Sequence, residues 1–195
     1  MSVSTFSELK TAIATWAHRT DLTSVIPDFI TMCEADMANR LKLVELETNG
    51  TVTMTAGSGT VPTGLLNIRS ISMDGEGQLR YLSPSRFNDF LEDNESGDGI
   101  YYTIIGTTIK TAPPTTGTLD VVYSTKITSL SDGAPTNVIL TNYPDAYLYG
   151  SLFHADVYVK KDASANKALY EQAIQRIKDT DMNRKYAGEL TVKCA

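Results

Sequence analysis

Two histidines are the first residues to examine for chemistry, because imidazole carries protons and binds metals near neutral pH. His18 and His154 each fall in a helical pattern, and neither has a second potential ligand one helical turn away. A lone helical histidine is most often packed or solvated. We therefore expect neither residue to be catalytic or to bind a metal.

The acidic segment Glu92-Asp93-Asn94-Glu95-Ser96-Gly97-Asp98-Gly99 has the alternating acids of a calcium-binding loop. Such a loop closes with a bidentate glutamate at a fixed distance after an invariant glycine. With Gly99 as that glycine, the closing position falls on Ile105, which offers no ligand. We therefore expect a solvated acidic loop.

Other catalytic signatures are missing from the sequence. The turns Gly57-Ser58-Gly59 and Gly75-Glu76-Gly77 lack the downstream lysine of a phosphate loop, and no nucleophile elbow or HExxH motif occurs. An enzyme should bring acid, base, nucleophile or ligand residues together. The expectation is a non-catalytic protein with no cofactor-binding or metal-binding residues.

Aromatic side chains cluster in two stretches, and such clusters can stack nucleic acid bases or sugars. They are Tyr101, Tyr102, Tyr143, Tyr147, Tyr149, Phe153 and Tyr158. The basic residues that usually accompany stacking are absent there, and spacings of three and four residues favour burial between helices. Packing is the preferred interpretation.

Charge and hydropathy narrow the class of protein further. Seventeen basic and 23 acidic residues give a net charge of −6, which disfavours tight binding to phosphate backbones. No run of eighteen apolar residues occurs, and Met1 to Lys10 do not resemble a secretory signal. Cys33 and Cys194 form no metal-spacing motif, and a disulfide between them is not expected. We expect a protein assembled in the cytoplasm, without a membrane partner.

Two helix pairs are predicted, one toward each end of the chain. Thr5-Phe6-Ser7-Glu8 has the form of a capping box and opens a helix that ends near Arg19, and a second helix runs from Pro27 to about Leu43. The face of the second helix interpreted as solvated carries Asp28, Glu34, Asp36 and Arg40. Helical periodicity returns from Tyr143 to Lys161 and, after a break, continues to about Asp181.

The middle of the chain is rich in Thr, Gly, Val and Ile and has frequent turn signals, which is typical of short antiparallel strands. The predicted strands are residues 45–54, 67–73, 78–82, 101–105, 108–112 and 118–125, with a short helix near 84–93. The pair Gly106-Thr107 suits a two-residue type II′ hairpin, because glycine comes first.

Together these elements predict an α+β fold with three parts. Residues 1–43 and 143–182 form an antiparallel helical bundle, residues 44–142 a β-rich insertion, and residues 183–195 an extended carboxyl-terminal tail. In the tail Leu190, Val192 and Cys194 alternate with polar residues. We interpret these three as partner-binding residues that add a strand to a sheet edge of another protein.

Four stretches of the chain resemble the head-to-tail connector (portal adaptor) proteins of short-tailed bacteriophages, and the resemblance covers nearly the whole chain. They are Phe6-Ser7-Glu8-Leu9 through Leu22, Ile26-Pro27-Asp28-Phe29-Ile30 through Arg40, Tyr101-Tyr102-Thr103-Ile104-Ile105-Gly106 through Pro113, and Asn142-Tyr143-Pro144-Asp145 through Ala155. They have the character of packing and turn signatures and contain no catalytic motif.

The resemblance implies a structural virion protein at the head-tail interface. It would form a ring, a dodecamer, beneath the portal protein, extend the channel through which genomic DNA passes without specific binding, and provide the attachment site for a nozzle or tail-tube protein. The partner-binding tail residues would then contact the portal. Two alternatives remain: another virion component, such as a head-completion or tail-terminator ring, and a β-type module that binds glycans or a host surface.

Overall fold

The computed structural model describes residues 3–73, 77–94, 96–97 and 99–185. Within them the fold is α+β, as predicted, with six α-helices and two β-sheets. The chain forms two compact units: residues 3–45 with 127–185 make a helical unit, and residues 46–126 make a β-rich unit. The helices are α1 (Phe6–Ala17), α2 (Ile26–Arg40), α3 (Pro84–Asp93), α4 (Val138–Asn142), α5 (Pro144–Tyr158) and α6 (Ser164–Lys185).

The start of α1 is the predicted capping box. The amide of Glu8 donates to Thr5 Oγ1 at 3.3 Å, and the amide of Thr5 donates to Glu8 Oε2 at 3.1 Å. Each bond satisfies an amide that the first helical turn leaves without a partner. The second helix, α2, ends at Arg40 rather than Leu43, because Leu41 takes an extended backbone conformation.

Helix α5 is the centre of the helical unit and packs against α1, α2, α4 and α6. Its side chain Tyr147 is fully buried. At Gly150 a Cβ atom would meet Cys33 Sγ and would lie 2.9 Å from the ring of Tyr170. Glycine is therefore required for α2 and α6 to approach α5 this closely. The antiparallel arrangement of the helix pairs stays a prediction.

The described part of the β-rich unit contains helix α3 and seven strands: β1 (Glu47–Met54), β2 (Ser58–Thr60), β3 (Leu65–Met73), β4 (Arg80–Tyr81), β5 (Tyr101–Ile105), β6 (Thr108–Ala112) and β7 (Gly117–Thr125). One sheet has the order β1-β7-β3 and is antiparallel, and the other has the order β2-β6-β5-β4 with a parallel β4–β5 pair. Among the described residues of this unit, nine buried side chains form a core: Val52, Met54, Ile71, Leu79, Tyr102, Ile109, Leu119, Val121 and Tyr123.

The predicted β5–β6 hairpin is confirmed. Ile105 pairs with Thr108 across the two-residue loop, and Gly106 has a φ of 61°. The short helix after Ser83 is also present, with Phe87 buried. A positive φ at the first loop position is what a type II′ turn requires, and glycine adopts it without strain.

Two β-strand predictions need correction. Residues Ser58–Thr60, interpreted as part of a turn, form β2, because Gly59 fits closely against Val52 and Met54. The predicted strand 78–82 bonds to β3 only through the Ser72–Gln78 bridge and the amide of Leu79. Residues Arg80–Tyr81 then pair with β5 in the parallel direction.

The helical unit also contains residues that the sequence pattern predicts to belong to other parts of the fold. Residues 127–142, predicted as part of the β-rich insertion, lie in the helical unit, where Ile127, Leu130, Ile139 and Leu140 are buried. The predicted extended tail begins later than residue 183, because α6 continues to Lys185. The remainder of that tail lies outside the described residues.

Candidate functional site

The two histidines occupy separate places in the helical unit. His18 is exposed and caps α1 in a left-handed conformation, with its backbone amide directed at the carbonyls of Ala14 and Thr15. His154 is half-buried, with its ring centroid 5.1 Å from that of Phe153, and burial lowers its pKa. In the described ranges no three His, Cys, Asp or Glu side chains are grouped as a metal site would require.

The motifs that resembled ligand loops have structural roles where the structure describes them. Glu92 and Asp93 form the last turn of α3, while Glu95 and Asp98 lie outside the described residues. Gly57, with a φ of 76°, makes the turn before β2 and sits against Pro114. Neither motif brings together ligand side chains that the structure describes.

The clustered aromatic side chains divide between burial and exposure. Tyr147 is fully buried and Tyr102 nearly so, which agrees with packing. Tyr158 is 59% exposed and lies against Phe29, with ring centroids 5.4 Å apart. The expectation of burial is therefore wrong for Tyr158.

Glu34 is buried on α2 and bonds to the chain segment that returns from the β-rich unit. Its Oε1 accepts the amide of Leu130 at 2.8 Å and the hydroxyl of Tyr147 at 3.0 Å. Asn137 donates to the Tyr147 hydroxyl and to the carbonyl of Thr128, each at 2.7 Å. Burial raises the pKa of Tyr147, so the phenol keeps its proton and can donate it to the carboxylate.

Asp181 is the corresponding carboxylate on α6. Its Oδ1 accepts the amide of Val44 at 2.7 Å, and its Oδ2 lies 2.5 Å from Lys185 Nζ. Lys185 also donates to the carbonyl of Lys42 at 2.9 Å. The last turn of α6 is thereby bonded to the segment that leads into the β-rich unit.

A second set of contacts reinforces this attachment. Arg184 pairs with Glu45, and the side-chain amide of Asn142 also lies within hydrogen-bonding distance of Glu45, at 3.3 Å. We use the name α6 clamp for the contacts of Asp181, Arg184 and Lys185 with Lys42, Val44 and Glu45.

Both chain connections between the units are thus bound by a buried carboxylate. Glu34 and Asp181 are the two buried acids among the residues described. Val44 lies two residues before Leu46, the first residue of the β-rich unit, and Leu130 lies four residues after Lys126, the last. Because a buried carboxylate is costly unless it is hydrogen-bonded, these two acids are specific attachment points rather than incidental surface charges.

The sequence pattern does not predict that Glu34 and Asp181 are buried attachment points. The sequence pattern predicts a solvated position for Glu34, whereas the structure buries it. Glu34 lies four residues after Ile30 and three before Met37, at the edge of the apolar stripe of α2. Asp181 lies four residues after Ile177, again in register with a buried position. The sequence signal for such a buried carboxylate is its spacing of three or four residues from buried apolar positions on the same helix.

Large apolar side chains are exposed in each unit. In the helical unit Trp16 is 52% exposed and makes an edge contact with Tyr149, with ring centroids 6.0 Å apart. In the β-rich unit Tyr81 is 56% exposed beside Tyr102. Met32, Leu66, Ile100, Ile105, Val157, Leu169 and Met182 are exposed as well. Scattered exposed apolar residues are ordinary, but aromatic ones are frequent anchors of protein interfaces.

The partner-binding tail residues Leu190, Val192 and Cys194 lie outside the described residues. None of the helices in the described ranges combines the length and apolar character needed to span a bilayer.

A family model described as SU10 adaptor protein matches residues 4–192 of the chain, which is nearly its whole length. This match confirms the resemblance carried by the four sequence stretches. Comparison with curated proteins finds no match.

Proposed function

Because the chain belongs to the SU10 adaptor protein family, we propose that it is a structural virion protein that joins the phage head to the tail. It forms a ring, a dodecamer, beneath the portal protein, extends the DNA channel and provides the attachment site for the nozzle or tail-tube protein. The observation that carries this proposal is the family match over residues 4–192.

The charge of the chain supports a role in passing DNA rather than holding it. The net charge is −6, and residues 46–126 carry nine acidic and five basic side chains. Like charge reduces the attraction of DNA to the protein surface, because phosphate contacts need basic partners. DNA therefore moves through the ring without specific contacts.

Self-association into the ring uses helices of neighbouring subunits. Exposed apolar side chains on three helices support this assignment: Trp16 on α1, Met32 on α2, and Val157 and Tyr158 on α5. Tryptophan and tyrosine contribute a large share of the binding energy in many protein interfaces. A ring needs two different surfaces on each subunit, so these residues are divided between them.

The carboxyl tail attaches the ring to the portal. Leu190, Val192 and Cys194 present apolar side chains at alternate positions, a pattern suited to adding a strand to a sheet edge of the portal. Main-chain bonds then supply affinity, and pockets for alternate side chains supply specificity.

Mass measurement tests this function. Light scattering on the purified protein, alone and mixed with the portal of the same phage, is expected to show a monomer alone and a closed ring with portal. A stable trimer that ignores the portal would favour the glycan-binding module instead.

Deletion of residues 187–195 is expected to abolish portal binding while circular dichroism shows an unchanged fold. The double substitution Leu190→Ser and Val192→Ser should have the same effect. Thr191→Ser with Lys193→Ser is the matched control on the alternate positions and should bind normally. Portal binding by the truncated protein would rule out the tail as the attachment segment.

A further inference from the structure

The α6 clamp bonds the root of the carboxyl tail to the entry into the β-rich unit. Lys185 directly precedes the tail and reaches both Asp181 and the carbonyl of Lys42. Asp181 in turn holds the amide of Val44. Residue 45 is followed at once by Leu46, the first residue of the β-rich unit.

We propose that the α6 clamp transmits capture of the carboxyl tail to the connection that enters the β-rich unit. This inference rests on the proposed binding of the tail to the portal. The last turn of a helix frays, because its final carbonyls have no partner within the helix. A tail held by a partner suppresses fraying at Lys185 and so makes the bonds to Lys42 and Val44 more persistent.

The coupling runs in both directions. If tail capture strengthens the bond to the Val44 amide, then an intact bond to Val44 strengthens tail capture by the same factor. An intact α6 clamp therefore favours portal binding, and portal binding in turn stabilises the α6 clamp.

The other connection provides an internal reference. The amide of Leu130 is held by Glu34, which lies on α2 and not on the helix that leads into the tail. Tail capture should therefore change exchange at Val44 and leave exchange at Leu130 unaltered. General tightening of the helical unit would slow both amides.

Amide hydrogen exchange on the full chain, free and in complex with portal, measures this difference. Portal binding is expected to slow exchange at Val44 roughly tenfold, as local opening becomes rarer, with no change at Leu130. In Lys185→Met the slowing at Val44 should disappear. Portal affinity should fall by about the same factor of ten, because the coupling between the two events is reciprocal.

Lys178→Met on the same helix is the matched control, because its ammonium lies outside the α6 clamp, and it should behave as the natural chain does. Methionine keeps the apolar stem of lysine, so neither variant should disturb folding. Portal binding with unchanged exchange at Val44 overturns this inference alone. A chain that does not bind portal overturns both the inference and the proposed attachment.

Discussion

Glu34 accepts two hydrogen bonds in the interior of the helical unit, from Leu130 and Tyr147. Glu34→Ala should leave the amide and the phenol without this acceptor and lower the free energy of unfolding by about 1–3 kcal/mol for each group. Tyr147→Phe removes only the hydroxyl and should cost less, about 1 kcal/mol. Urea unfolding followed by circular dichroism measures both effects.

Asp28→Ala is the control, because Asp28 is an exposed acid on the same helix. Its effect should lie within about 0.5 kcal/mol, as for most surface substitutions. Equal losses in Glu34→Ala and Asp28→Ala would show that the interior bonds of Glu34 contribute nothing measurable to stability.

Among the secondary-structure elements, helix α1 has a start that depends on its capping box. Thr5→Ala removes the side-chain acceptor for the Glu8 amide and should destabilise α1 by about 1 kcal/mol. Amide exchange in the first turn of α1 should accelerate, while exchange in α6 should not change. Uniform acceleration throughout the helical unit would contradict a local capping role.

The same cap predicts a pH dependence. Hydrogen bonds from Ser4 and Thr5 lower the pKa of Glu8 below its ordinary value of 4.5. A lowered pKa in the folded state contributes stability above the unfolded value, which is lost as pH falls through the folded value. Fraying of the first turn of α1 is therefore expected below pH 4.5. In Ser4→Ala, which removes the Ser4 hydroxyl that donates to Glu8 Oε2 at 2.8 Å, fraying should be less sensitive to pH.

Elements with a strong local signal were the ones that could be predicted. The capping box of α1 and the hairpin at Gly106 depend on neighbouring residues alone, and both are present. Strand β2 and helix α4 were missed because tertiary contacts create them. Gly59 packs against β1, and Asn137 caps α4 while bonding to Tyr147 on the next helix, α5.

The candidate site could be predicted less well than the fold. Which carboxylates are buried and which aromatic side chains are exposed depends on which surfaces meet in the folded protein. Periodicity placed Tyr147 correctly in the interior but placed Glu34 in solvent and Tyr158 in a helix interface. A pattern shows which side of a helix is apolar. It does not show how far a neighbouring helix extends over that side.

For the whole molecule, the β-rich unit has what independent folding requires. Its core is formed by its own residues, and its two ends meet where Glu47 pairs with Ser124. A segment of about 80 residues can fold alone when it has such a core. Residues 46–126 expressed alone should therefore unfold cooperatively on heating, as measured by calorimetry.

The complementary chain should fold as well. Partners in antiparallel strands have Cα atoms about 5 Å apart, so a short glycine-serine linker can replace residues 46–126.

Loss of cooperative unfolding in the isolated segment of residues 46–126 would show that its stability depends on the helical unit. A segment with Leu119→Ala should melt lower, because Leu119 is a fully buried core residue.

Trp16 gives the intact protein a spectroscopic property of practical use. It is the single tryptophan of the chain, and about half of its surface is open to solvent beside Tyr149. Excitation at the red edge of the absorption band therefore yields fluorescence from one position on α1, without any label. Its emission wavelength and its quenching by iodide report directly whether that end of α1 becomes covered as subunits assemble.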